Sequence, residues 1–158
     1  MSTKPTTDDR DLQQHQVVAV FALPNRAFKM FAELADEVGA LGKLFHSTNS
    51  MTSIKRKFAY AAIRAYQFAQ FIEFDHGSAA GDVPGGFDER EVFTSLLSAV
   101  SSLGMPAKIR DTRNPIPETV MQTARANMAA VFALLDALAD RMGLDLYEEV
   151  NAELVRAA

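Results

Sequence analysis

Apolar residues recur along this chain at intervals of three and four positions, and regular alternation of apolar and polar residues is nearly absent. Such spacing predicts helices that each bury one face. One predicted helix spans about residues 26–45, and its apolar stripe comprises Phe31, Leu34, Ala35, Val38, Leu41 and Phe45. A second spans about residues 54–74, and its stripe comprises Ile54, Phe58, Ala61, Ala65, Phe68 and Ile72.

Residues that favour helix ends divide the first half of the chain. A helix over about residues 12–22 is expected to end before Pro24, because the residue preceding a proline avoids helical geometry. Thr52 or Ser53 is expected to cap the helix over residues 54–74. Residues 1–10 have no apolar stretch and are predicted to form a disordered tail.

The second half of the chain contains three further predicted helices. Asp88 and Glu91 have the spacing of a capping box, which predicts a helix from there to about residue 103. Another helix is expected to begin at Pro117, which suits a first turn, and to end at Gly143. Asp145 precedes a last helix. Glycine and proline residues predict inserted loops over about residues 76–87 and 104–117.

These elements predict one all-α domain over residues 11–158, a helical bundle of about five to six helices. The length of 158 residues fits a single domain, and 48% hydrophobic with 23% charged residues excludes a disordered chain. The lack of cysteine excludes disulfides, a thiol nucleophile and cysteine-ligated zinc, and is compatible with the cytoplasmic location that we expect. The net charge of −4 and the short apolar runs indicate neither a nucleic-acid partner nor a membrane.

Three carboxylates are candidate metal ligands. Glu33, Asp36 and Glu37 are three and four positions apart, so a helix brings them to one side. Like charges this close repel one another, and Mg²⁺, which prefers oxygen ligands, would relieve the repulsion. The alternative is a solvated surface, balanced by Lys29 and Lys43 nearby.

Polar residues on two other helices are candidate substrate-binding groups. Asn127 falls within the apolar stripe of the helix over 117–143, where a buried amide either lines a pocket or fixes the register of a helix interface. Lys55, Arg56 and Lys57 begin the helix over 54–74, where the helix dipole disfavours cations unless an anion binds there. The alternative for these three is a solvated first turn.

Two segments resemble the MazG-like, all-α nucleoside triphosphate pyrophosphohydrolases. Residues 31–40, with the sequence FAELADEVGA, are similar to that family's first motif, an acidic pair followed three residues later by glutamate. Residues 137–150 resemble its closing segment. The resemblance implies a four-helix core completed by oligomerisation, with Mg²⁺ held by Asp36 and Glu37 and with Glu33 as a substitute ligand.

The chain departs from the family pattern at its acidic positions. Ala40 stands where the third glutamate is expected, and Asn127 and Ala130 stand in the later motif. Carboxylates of the inserted segments are alternative ligands, namely Glu73, Asp75, Asp82 and Asp88. Because a metal must neutralise the triphosphate and activate water, this incomplete set predicts that hydrolysis is weak or lost.

Two main hypotheses of function result. In the first, a MazG-like bundle binds a nucleotide or phosphate ligand, with weak or lost pyrophosphohydrolase activity. The alternative is a non-enzymatic protein that acts through an oligomer or partner surface, and a competent pyrophosphohydrolase with a rearranged metal site is third. In each case we expect a homo-oligomer, a dimer or tetramer, because Tyr60, Ile63 and Phe71 lie outside the main apolar stripe of their helix.

Overall fold

Every regular element in the described part of the chain is helical. The computed structural model describes residues 5–45, 48–74, 86–112 and 114–158. Its α-helices are α1 (Thr7–Val20), α2 (Ala27–Leu41), α3 (Met51–Phe71), α4 (Glu89–Ser101), α5 (Gly104–Asp111), α6 (Glu118–Arg141) and α7 (Leu146–Ala157), and a 3-10 helix, Gly42–Phe45, follows α2. Only residues 102 and 103 separate α4 from α5, so the two also count as one bent helix. The predicted all-α helical bundle is confirmed.

Helix α3 lies at the centre of the bundle. It packs against α1, α2, α6 and α7, while α4 packs against α2 and α6, and α5 packs against α2. The buried apolar residues of α3 are Phe58, Ala59, Ala61, Ala62, Ile63, Ala65, Tyr66, Phe68 and Ala69. A helix covered on this many sides needs small residues at close approaches, which explains its five buried alanines.

The apolar stripes predicted for the two central helices are confirmed in large part. In α2, Leu34, Val38 and Leu41 are fully buried, and the side chain of Phe45 lies outside the described residues. In α3, Ile63 is also fully buried, although the stripe did not include it. Since the other bundle helices cover Ile63, its apolar character no longer supports an oligomer, which stays a prediction.

The first helix begins earlier than predicted, and the tail prediction is wrong for residues 7–10. The side chain of Thr6 accepts a hydrogen bond from the Asp9 backbone N–H at 3.1 Å, and the Asp9 carboxylate accepts one from the Thr6 N–H at 2.8 Å. This reciprocal capping box starts α1 at Thr7. Residues 7–10 are therefore the first turn of α1, in which Thr7 and Asp8 are exposed, and residues 1–4 lie outside the described part.

The prediction of a loop over residues 104–117 is wrong for its first half, which is helix α5. Pro106, one of the prolines behind that prediction, lies in the first turn of α5, where the missing N–H would have no helical partner. Pro106 and Ala107 are buried against the bundle. In the other predicted loop, residues 76–85 lie outside the described residues.

Other predicted helix ends agree with the structure except at α3. Asp88 caps α4 by accepting from the Glu91 N–H at 2.9 Å. Gly143, with φ +75°, follows α6, and the Leu144 N–H donates to the Ala139 carbonyl at 2.9 Å. The cap of α3 is Ser50, whose hydroxyl accepts from the Ser53 N–H, and not Thr52 or Ser53 as predicted.

One helix start depends on a distant residue. Arg26, at the cap position of α2, makes no side-chain capping bond. Instead the two carboxylate oxygens of Asp111, at the end of α5, accept from the backbone N–H groups of Ala27 and Phe28 at 2.9 and 3.0 Å. Helix α5 thus holds the first turn of α2 in place.

A buried amide joins helices α1, α3 and α7. The side chain of Gln13 is 1% exposed, and its Nε2 donates to the Tyr147 carbonyl and to Asn151 Oδ1, both at 2.9 Å. Its Oε1 accepts from the Tyr66 hydroxyl at 2.8 Å. Every polar atom of this buried side chain is therefore satisfied.

An ion pair extends this arrangement to α6. Arg10 Nη2 donates to Asp136 Oδ1 at 2.9 Å, and the Arg10 guanidinium lies 5.7 Å from the ring centroid of Tyr147. Burial raises the pKa of Asp136 even though Arg10 opposes the shift, and burial raises the pKa of Tyr66 to about 12. We call the set Arg10, Gln13, Tyr66, Asp136 and Asn151 the inter-helix polar network.

One stretch of the described residues has the length and composition of a membrane-crossing helix. This stretch is Glu89–Asp111, with a mean hydropathy of 1.3 over its apolar window, of which 39% is buried inside the bundle. Serine and threonine residues interrupt the apolar residues of this stretch, so it contains no long uninterrupted apolar run. The stretch packs against α2 and α6, and less than half of its apolar window is buried there.

Candidate functional site

Two of the three predicted acidic ligands face α3, whereas the third does not. Glu33 and Glu37 lie one turn apart on α2 and are half-buried, and Asp36 is exposed. Glu33 Oε2 lies 3.3 Å from Arg64 Nη1 on α3. Two of the three carboxylates therefore belong to an interface between helices.

The ion pair between Glu33 and Arg64 is incompletely satisfied. Glu33 Oε2 and Arg64 Nε are both buried, and neither has a hydrogen-bond partner among the described residues. Arg64 Nη1 donates instead to Gln67 Oε1 at 3.0 Å, and Gln67 Nε2 donates to the Ala22 carbonyl at 3.1 Å. A buried polar atom without a partner costs about 1–3 kcal/mol, so this pair stabilises the fold less than a fully hydrogen-bonded pair would.

Glu37 lies close to the same two charges and is itself perturbed. Burial raises the pKa of its carboxyl, Arg64 lowers it, and the neighbouring charges of Asp36 and Glu33 raise it further. The net direction is upward. Glu37 therefore holds a proton more readily than an ordinary glutamate, and a cation placed beside it would reverse that shift.

Glu37 also lines a cavity that contains two of the predicted basic residues. The cavity has a volume of about 480 Å³ and is lined by Glu37, Ser50, Thr52, Ser53, Arg56, Lys57 and Tyr60. It lies where the C-terminal half of α2 passes the first turns of α3. The acidic and basic candidates, far apart in the sequence, thus meet in one place. We call Glu33, Glu37, Arg56, Lys57, Tyr60 and Arg64 the α2–α3 groove.

The basic residues at the start of α3 differ in how they are held. Arg56 Nε donates to Glu153 Oε1 at 3.1 Å, and its guanidinium lies 5.9 Å from the ring centroid of Tyr60. Lys57 has no carboxylate within 4.0 Å among the described residues. Lys55 does not line the cavity, and its Nζ is 3.9 Å from Glu149 on α7. Lys57 is thus the cation best placed for a ligand.

The described residues do not fit a dedicated metal centre. No three acidic or histidine side chains within them converge closely enough to hold a metal ion. Arg64 neutralises Glu33, and Asp36 is exposed and is not among the residues that line the cavity, which leaves Glu37 as the carboxylate in the lining. Mg²⁺ usually binds through one or two carboxylates together with substrate phosphates, so a magnesium ion would have to arrive with its phosphate ligand.

The remaining candidates lie elsewhere. Asn127 is half-buried on α6 and is not among the residues that line the cavity. Asp88 is engaged as the cap of α4, and Glu73 is exposed at the end of α3, with φ +53°. Asp75 and Asp82 lie outside the described residues. The structure therefore does not bring Asn127 together with the acidic pair.

Two groove residues were missed by the sequence analysis. Arg64 is the only charged residue in the otherwise apolar and amide-containing stretch from residue 58 to 72. A lone cation on such a helix requires an acidic partner from another helix, and that requirement was the available signal. Tyr60 was considered only as surplus apolar surface, whereas its ring lies beneath Arg56 at the wall of the cavity.

Comparison with known proteins identifies no relative: no family model, no curated protein and no solved structure matches this chain. The resemblance to MazG-like enzymes therefore stays a prediction from the sequence.

Proposed function

We propose that this protein binds a nucleotide or a related phosphate ligand in the α2–α3 groove, and that its pyrophosphohydrolase activity is weak or lost. The observation that carries the proposal is the cavity shared by Glu37, Arg56 and Lys57. Two cations, several hydroxyl groups and the first turn of a helix meet there, and each of these groups favours phosphate.

The ligand's parts have distinct places in this groove. Lys57, which has no carboxylate partner in the described structure, attracts the phosphates, and Arg56 adds a second cation. The Tyr60 ring offers an apolar surface beside them. A magnesium ion bound to the nucleotide would meet Glu37, whose pKa is raised by burial and by the neighbouring charges of Asp36 and Glu33. With one carboxylate at hand, two-metal hydrolysis is not supported.

Thermal unfolding with nucleoside triphosphates and Mg²⁺ tests this proposal. We expect the midpoint temperature to rise with the nucleotide, and the rise to be lost in Lys57→Gln and in Asp36→Ala/Glu37→Ala. Lys55→Gln is the matched control, because it removes an adjacent lysine that does not line the cavity. The absence of a shift with every nucleotide, or an equal loss in both lysine variants, would contradict the proposal.

Pyrophosphate release from the same panel measures the enzymatic part. We expect little or no release with Mg²⁺ or Mn²⁺. Release that disappears in Asp36→Ala/Glu37→Ala would instead show a competent hydrolase whose remaining ligands lie in the inserted segments.

One observation favours the second candidate, a non-enzymatic protein that acts through association with copies of itself. A groove of about 470 Å³ between the α4–α5 turn and the start of α6 has no charged residue in its lining. Met105 in this lining is 65% exposed. A uniformly uncharged surface of this kind is typical of interfaces. Sedimentation of the wild type against Met105→Glu tests this candidate, which predicts an oligomer that the charge dissociates.

A further inference from the structure

A second polar cleft lies on the opposite part of α2, away from the α2–α3 groove. It has a volume of about 460 Å³, opens between the start of α2 and the ends of α3 and α5, and is lined by Asn25, Arg26, Ala27, Met30, Phe71, Arg110 and Asp111. We call it the basic cleft. An adjoining cavity shares Arg26 and Asp111 with it and adds Lys29 and Lys108. The proposed function uses none of these residues.

Positive charge exceeds negative charge in the basic cleft, because two arginines and one aspartate line it. None of Arg26, Lys29, Lys108 and Arg110 has a carboxylate within 4.0 Å there. The one carboxylate in the lining, Asp111, accepts hydrogen bonds from the first N–H groups of α2. Those N–H groups are therefore engaged, and the arginine side chains are what the cleft offers to a ligand.

Arg26 and Arg110 differ in whether the local helix dipole favours a positive charge at their positions. Arg110 lies in the last turn of α5, where the helix dipole favours a cation. Arg26 occupies the cap position of α2, where the dipole disfavours one, and it makes no capping bond. Asp111 lines the same cleft and caps the same helix end, so it supplies part of the negative charge that favours a cation at position 26, and an anion in the cleft would supply more.

The rest of the lining indicates the chemistry of that anion. The Arg110 guanidinium lies 5.9 Å from the ring centroid of Phe71, which restrains its position. Guanidinium groups pair with phosphate oxygens through two parallel hydrogen bonds, and two such groups match a dianion better than a singly charged carboxylate. Met30 and Phe71 add apolar surface for an organic part.

We propose that the basic cleft binds the phosphate group of a small, soluble organic phosphate between Arg26 and Arg110, at a site separate from the α2–α3 groove. Asn25 supplies an amide beside the phosphate, and the apolar residues contact the organic part. The site is independent of the proposed function, since it shares no residue with the groove.

Backbone amide shifts in a titration of the full chain with inorganic phosphate test this inference. We expect saturable shifts at residues 25–27 and 110–112, which report the basic cleft separately from residues 50–57 in the groove. The affinity should fall at least about tenfold in Arg26→Gln/Arg110→Gln. Arg90→Gln/Arg141→Gln is the matched control, because it removes two exposed arginines elsewhere that also have no carboxylate partner in the described structure. Its affinity should equal that of the wild type.

Three results would overturn the inference. They are shifts that never saturate, an equal loss in both double variants, and acetate shifts as large as those with phosphate, which would show simple charge screening. A further arm uses phosphatidic acid vesicles to separate lipid headgroups from soluble phosphate. Binding to vesicles without saturable shifts from soluble phosphate would also overturn it. Lys57→Gln is expected to remove the effect of nucleotides at the groove and to leave phosphate binding at the basic cleft unchanged. Failure of one proposal is therefore distinguishable from failure of the other.

Discussion

The inter-helix polar network and the α2–α3 groove both place charged and polar side chains between helices, but only the network satisfies them. Gln13 has a partner for each polar atom, and Arg10 is directly hydrogen bonded to Asp136. In the groove, Glu33 Oε2 and Arg64 Nε have no hydrogen-bond partner within the described structure. Burial and a perturbed pKa occur in both regions, so neither property identifies a ligand site in this protein.

The two regions differ in whether their polar groups find partners within the described structure. The network is complete within one chain and holds α1, α3, α6 and α7 together, so its polarity has a structural purpose. The groove has unmatched polar atoms, a carboxyl with a raised pKa and a lysine without a carboxylate partner, next to a cavity. Unmatched polarity beside open space is therefore the better indicator of ligand binding here.

The largest expected effect comes from breaking the network at its ion pair. Arg10→Met leaves the carboxylate of Asp136 without its cation, in a place where burial already raises its pKa. We expect the free energy of unfolding to fall by about 3 kcal/mol, measured by urea denaturation. The double variant Arg10→Met/Asp136→Leu should recover most of this loss, since no unpaired charge remains. No recovery would mean that packing, and not charge, accounts for the cost.

Removing one hydroxyl from the network is expected to cost less. Tyr66→Phe keeps the ring, which packs against Phe132 at 5.0 Å between centroids, but takes the donor from Gln13 Oε1. We expect a loss of about 1–2 kcal/mol in the free energy of unfolding. Tyr60→Phe is the control, because Tyr60 is on the same helix, is half-buried and does not belong to the network. Equal losses in both variants would contradict the assignment of Tyr66 to the network.

The corresponding change in the groove should be milder. Glu33→Gln weakens a pair of similar exposure to Arg10–Asp136, but this pair is longer, 3.3 Å against 2.9 Å, and two of its buried atoms already lack hydrogen bonds. We expect a loss of about 1 kcal/mol or less in the free energy of unfolding. A loss as large as that of Arg10→Met would show that the groove is built for stability, and would remove the contrast between the two regions.

The smallest expected effect concerns pH. Because the folded-state pKa of Glu37 lies above its ordinary value, the folded protein binds more protons than the unfolded chain between those two values. The stability contribution of Glu37 therefore falls as pH rises through that window. Glu37→Gln should remove this fall and gain a few tenths of a kcal/mol at neutral pH after solvent screening. Denaturation at pH 4 and pH 7 checks the sign, and a greater gain at pH 4 would contradict it.

Much of the fold could be predicted because it depends on local sequence. The stripe through Leu34, Val38 and Leu41 and the cap at Asp88 are periodic or short-range features, and both are confirmed. The errors arose where polar or helix-breaking residues occur in a first turn. Pro106 begins α5, and Thr6 with Asp9 begins α1, although both stretches have few apolar residues.

The candidate site was less predictable because its pairings cross between helices. Sequence spacing placed Glu33, Asp36 and Glu37 on one side of α2. It could not show that Arg64 of α3 forms an ion pair with Glu33. Nor could it show that Arg56 and Lys57 lie beside Glu37, since that depends on how α2 crosses α3. For Asn127 too, spacing within one helix predicted the helical face, but it could not predict the separation from the acidic pair, which depends on how the helices pack.

The cap that α5 supplies to α2 has a consequence for the order of folding. Ala27 and its partner Asp111 are 84 positions apart, so a long loop must close before the first turn of α2 is held. The rest of α2 can form earlier, through the contact of Leu34 and Val38 with α3. Asp111 is therefore expected to have a low φ-value: its replacement by alanine should speed unfolding and leave the folding rate almost unchanged.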